Sequence, residues 1–191
     1  ALTELTLKNG DEDAVFTVTN LTADSSLTLN VDNITGAGAS EIDLVGTTIT
    51  NLTINATGAD SAFTLDANGL VDLTINATAG LNLSAATSDY ATTALDNVTI
   101  KGAGSVNLGV ISTATGLVSF NASANTGGVT ATINASTAAS HADLTTFTFS
   151  EGNDVVTLDN AAINKNINLG AGDDKITVAA GTTAITKVID G

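Results

Sequence analysis

The sequence predicts an all-β chain wound as a parallel β-solenoid, of the β-helix or β-roll kind, and three observations predict it. An aliphatic-Thr-aliphatic triplet recurs at near-constant intervals, as Leu5-Thr6-Leu7, Leu27-Thr28-Leu29, Leu52-Thr53-Ile54, Leu73-Thr74-Ile75 and Val98-Thr99-Ile100. Such alternation marks strands buried on one face, and its return at one coil length marks stacked repeats. Between these copies lies a second in-out-in set: Phe16-Thr17-Val18, Ile42-Asp43-Leu44, Phe63-Thr64-Leu65, Leu81-Asn82-Leu83 and Val106-Asn107-Leu108. Finally, 43% of the residues are hydrophobic, only 3% are aromatic and none is proline. The core must then be layers of Leu, Ile, Val and Ala. A β-sandwich also spaces its strands by about 8–12 residues. It stands second, because it does not need one phrase to return at one length.

Along the chain, the first strand runs into Asn9-Gly10-Asp11-Glu12-Asp13, three acids read as a solvated loop or a Ca²⁺ site. Gly36-Ala37-Gly38-Ala39-Ser40, Gly58-Ala59-Asp60 and Gly102-Ala103-Gly104-Ser105 are expected to be turns. Asn55 and Asn76 end matched phrases, and Asn134 follows Ile133 in the same way. Because Asn bonds readily to neighbouring amides, the three are expected to form an internal amide ladder. Ser84 to Asp96 is the one stretch that admits a loop or a short helical turn. Val118-Ser119-Phe120 and Phe147-Thr148-Phe149 continue the triplet series, the second of them after a longer gap.

Five lysines and no arginine face 20 acids, for a net charge of −15. Such a surface repels nucleic acid. No apolar run reaches the roughly 18 residues of a membrane span, and cysteine is absent. Catalysis is not expected. The one histidine lies in His141-Ala142-Asp143, and no G-x-S-x-G nucleophile turn occurs. The chain opens at Ala1 and closes within a repeat, so it is expected to be a piece of something longer.

The chemistry concentrates near the C-terminus. Gly170-Ala171-Gly172-Asp173-Asp174-Lys175-Ile176 fits G-x-G-x-D-x-U, the calcium-binding β-roll repeat in which U is a large aliphatic residue. The glycines permit backbone turns closed to other residues, and Asp174 offers the hard carboxylate oxygen that Ca²⁺ prefers. Glu151-Gly152-Asn153-Asp154-Val155-Val156 places Asp154 and Val156 likewise. The step from Gly152 to Gly172 suits one solenoid coil, and Gly191 stands almost the same step further on, where a third repeat would open. The expected metal set is Asp154 and Asp174 with carbonyls of Gly152, Gly170 and Gly172, while Asp173 faces either the ion or solvent. Asp190 would serve a site completed outside this sequence.

On these motifs, residues 147–191 resemble the RTX repeats of calcium-dependent bacterial surface-layer proteins, and residues 1–146 resemble their Thr/Ala/Asn/Gly-rich bodies. The resemblance implies a calcium-binding coil segment continuous with a solenoid body, type I secretion and a cell-surface location. It also implies assembly with copies of itself into a lattice, held to outer-membrane polysaccharide through an anchor domain absent here. The alternative is a repeat segment of a large type I-secreted adhesin that binds surface glycans.

Overall fold

The computed structural model describes residues 2–10, 15–18, 25–35, 40–44, 49–84, 88–135, 143–158, 162–178 and 184–191. Every paired strand among them is parallel to its neighbour, and no helix occurs among them. One coil shows the plan. The chain runs up the long wall at Ile49–Ala56, crosses a second wall at Ser61–Ala62 and a third side at Thr64–Asp66, then rejoins the long wall at Asp72–Ala77. Repeating this circuit builds a nine-stranded long wall from Glu4–Gly10 to Ile189–Asp190 and a six-stranded second wall from Ser61–Ala62 to Lys175–Val178. The third side is three-stranded near the start of the chain and two-stranded near its end. The fold is a parallel β-solenoid, as the sequence predicts.

The triplets build the core because each strand turns alternate residues inward. Leu27, Leu52, Leu73, Val98, Phe120, Phe147, Ile167 and Ile189 occupy one register column of the long wall. All but the last are buried. Leu29, Ile54, Ile75 and Ile100 form the column beside it. Full burial of such a side chain stabilises by about 1.5–3 kcal/mol, and stacking repeats that gain in every coil. Phe120 packs on Phe147 and Phe149 with ring centroids 5.7 and 5.0 Å apart. The long wall crosses residue 147 without a break in pairing.

Three expectations about register need correction. Leu5 stacks on Leu29 rather than Leu27, and Phe120, not Val118, stacks on Val98 and then on Phe147. A two-residue slip keeps every side chain on its face, so the triplets alone cannot detect it. The second strand set divides between two walls. Phe16, Ile42 and Leu65 stack on the third side, whereas Leu81 and Val106 stack on the second wall.

The amide ladder is real but lies on the outer face of the long wall. Asn76 donates to Asn55 at 2.8 Å, Asn55 to Asn30 at 2.7 Å, and Asn30 to Glu4 at 2.7 Å. Those residues alternate with inward Leu and Ile, so the pleat sends them out. Asn134 follows a second-wall strand and takes no part in that ladder. The described part of Ser84 to Asp96 holds no helix. Its Tyr90 is buried and donates to the Leu108 carbonyl at 2.7 Å.

Candidate calcium-binding corner

The candidate site lies where the long wall turns into the second wall. On the inward side of the second wall, Ser61, Leu81, Val106 and Val129 stack in one column. Thr130, Val155 and Lys175 pair in register, so the residues just before them, Val129, Asp154 and Asp174, follow each other in successive coils. The column therefore changes from a serine and three apolar side chains to carboxylates. Asp154 is fully buried.

That burial is supported by hydrogen bonds. Asp154 Oδ1 accepts the Val129 N–H at 2.6 Å and the Ser150 hydroxyl at 2.6 Å, and Oδ2 accepts the Ser150 N–H at 3.0 Å. Burial pushes its carboxyl above the ordinary aspartate range, while the bonds from Ser150 and Val129 work against that rise. Asp174 repeats the backward reach, since its Oδ1 accepts the Asp154 N–H at 2.9 Å. Glycine stands at 170, four residues before Asp174, where serine stands at 150 before Asp154. No side-chain hydroxyl is available there, and Asp174 Oδ2 is buried without a hydrogen-bond partner.

The glycines are required by close approach. Gly170 has φ 83°, and a Cβ there would run into the Ser150 carbonyl oxygen. Gly172 has φ 132°, and its Cβ would lie 2.7 Å from the Gly152 carbonyl oxygen. Both carbonyls therefore crowd the corner. Gly172, Asp173, Asp174, Leu169 and Gly191 line an open hollow of about 480 Å³. Asp173 is exposed at its rim, with its N–H bonded to Asn153 Oδ1 at 2.9 Å.

Asp190, assigned above to a further site, lies at the end of the long wall. It pairs with Asn168 on the long wall, and its carbonyl accepts the Leu169 N–H. Gly191 accordingly lies against Leu169 rather than in register with Gly172. The closing coil, from Ile167 to Ile189 on the long wall, is two residues longer than the step from Gly152 to Gly172. Counting one repeat on from Gly172 therefore misplaces its end.

Upstream, the same corner is closed by an amide. Asn125 is fully buried, and its Nδ2 donates to the carbonyls of Gly102 and Gly104 at 3.0 and 2.9 Å. Its Oδ1 accepts the N–H groups of Gly127 and Gly128 at 3.1 and 3.0 Å. Earlier still, Asp32 accepts the Ala59 N–H at 3.0 Å and Asp60 the Gly80 N–H at 2.7 Å, tying consecutive coils. Neither Asn125 nor Ser150 stands out in the sequence. Their signal is the position just before a glycine-containing turn.

The corner leaves a carboxylate oxygen without a donor at one place. Both oxygens of Asp154 are engaged by donors, whereas Asp174 Oδ2 is an orphaned acceptor beside glycine turns. Among the described residues, no group of three or more His, Cys, Asp or Glu side chains is placed to hold a metal. An ion at Asp174 would thus draw most of its oxygens from backbone and water. Asp11, Glu12, Asp13, Gly36 to Ala39 and His141 lie outside the described residues. No family model, curated protein or solved structure matches this chain.

Proposed function

We propose that this chain is a structural segment of a secreted bacterial surface-layer protein, a solenoid rod that Ca²⁺ stiffens and helps to assemble with its own copies. The observation that carries the reading is Asp174, whose buried Oδ2 lacks a partner in a glycine-lined corner stacked in register on Asp154. Asp174 would hold the ion, with Gly170 and Gly172 giving the backbone room to approach and Asp173 at the rim. Bound Ca²⁺ would supply positive charge to an acidic chain, at a corner where Gly170 and Gly172 lie against carbonyls of the preceding coil. Binding to the folded chain alone adds to its stability by mass action. Catalysis is no part of this reading.

The test is a thermal melt by circular dichroism in EDTA and in millimolar CaCl₂, with size exclusion beside each. A calcium-dependent rise in Tm, lost in Asp174→Asn, together with larger species in CaCl₂, supports the reading. Identical melts in the two buffers contradict it.

One observation favours the adhesin reading as a second. A groove of about 320 Å³ outside the second wall is lined by Asp60, Asn82, Ser105, Asn107 and Thr130, among others. These donors and acceptors suit sugar hydroxyls. Polysaccharide binding that Asn107→Ala weakens, without calcium-dependent assembly, would favour the adhesin.

A further inference from the structure

The third side carries a second run of carboxylates. Thr17 pairs with Asp43 and Asp43 with Asp66, and a single parallel bridge joins Asp66 to Asp89. Three aspartates therefore stack in three consecutive coils, at equal intervals along the chain. Paired strands lie about 4.8 Å apart, a separation at which like charges repel appreciably near a protein surface. No lysine, arginine or histidine occurs anywhere between Lys8 and Lys101.

Asp66 is the middle member. Its Oδ1 is buried and has no hydrogen-bond partner. The neighbouring charges that act on it are Asp89 and Asp43. Glu41, the other acid on the Asp43 strand, pairs with Thr64 two residues from Asp66. A buried acceptor between two carboxylates is the arrangement that one shared proton relieves, as a carboxylic acid donates where a carboxylate can only accept.

We propose that Asp66 is a proton switch, which takes one proton from solvent as pH falls and then donates its O–H to the carboxylate of Asp43 or Asp89. The bond joins adjacent coils, and acidification tightens this part of the solenoid. Burial first, then the Asp89 charge, raise the Asp66 carboxyl above the ordinary aspartate range, and Asp43 adds to the rise. The Asp89 backbone N–H works the other way. The folded chain therefore binds this proton more tightly than the unfolded chain. The added stability is fully present below the ordinary value of about 3.9 and is lost as pH rises through the folded value. The switch does not depend on the calcium reading, since the column lies on a different side of the coil.

The test uses the whole chain in EDTA. Side-chain carboxyl ¹³C resonances are followed against pH, with Asp66 assigned by its loss in Asp66→Asn. The expected Asp66 midpoint lies above the ordinary value and falls toward it in Asp43→Asn. In parallel melts, Tm of the wild type rises as pH falls from neutral into acid, by on the order of 3 °C, and Asp66→Asn reduces that slope, leaving the part that Asp154, raised likewise, contributes. A midpoint at or below the ordinary value overturns the proposal, and so does a slope that Asp66→Asn leaves undiminished. A calcium-induced rise in Tm that Asp66→Asn abolishes also overturns it, because the column would then be a cation seat.

Discussion

The corner at Asn125 and the corner at Asp174 face the same problem and answer it differently. In both, glycine turns lie close against carbonyls of the preceding coil. At Asn125 an amide meets them, with its NH₂ on two carbonyls and its oxygen on two N–H groups. Nothing further is needed. At Asp174 the carboxylate has no N–H to give, and one of its oxygens lacks a donor. Asp154 lies between the two, a carboxylate whose oxygens are both engaged by Val129 and Ser150. The comparison teaches that a carboxylate in a glycine turn does not by itself mark a cation site. What matters is whether the fold supplies it with donors.

The largest effect is expected from Asp154→Ala. Three buried donor bonds would lose their acceptor, at about 1–3 kcal/mol for each group left unsatisfied. Melts should therefore show severe destabilisation in EDTA and in CaCl₂ alike. A loss seen in EDTA but fully repaired by CaCl₂ would place the ion at Asp154 instead.

Asn125→Asp sharpens the comparison from the other side. It puts a carboxylate against the Gly102 and Gly104 carbonyls and should destabilise by about 1–3 kcal/mol in EDTA. In millimolar CaCl₂ part of that loss should return, because the corner then carries the charge that a cation satisfies. Titrating Ca²⁺ during the melt checks this.

Asp174→Asn should change the EDTA melt least of the three corner variants, because its amide oxygen can still accept the Asp154 N–H. Its expected effect is loss of the calcium response. Smaller again is Asn55→Ala on the outer long wall, which breaks the amide ladder at a cost of about 0.5–1.5 kcal/mol. Its calcium response should equal that of the wild type.

Much of the fold is legible in the sequence because inward alternation and coil length are both written in residue types. Leu52, Leu73 and Val98 stack as their triplets foretell. The register is not legible where a two-residue slip leaves the faces unchanged, as at Leu5 and Phe120. Nor is the division of the second strand set, since Phe63 and Leu65 both read as inward and only three-dimensional closure of the coil separates them. At the site, the matched spacing of the two glycine motifs correctly stacks Asp154 on Asp174. Their difference is not legible, because it depends on Ser150 against Gly170, four residues upstream. Asp190 escapes a count from the motifs because coil length changes by two residues at the end of the chain. The series Asp43, Asp66 and Asp89 is written at a constant spacing, but each of its members reads as an ordinary solvent-facing position.

The most direct measurement is calcium titration calorimetry on the wild type, Asp174→Asn and Asn125→Ala, each in chelator-treated buffer. The account predicts a binding site that Asp174→Asn removes and Asn125→Ala leaves in place. Calcium binding that is absent from the wild type, or unchanged in Asp174→Asn, would contradict it.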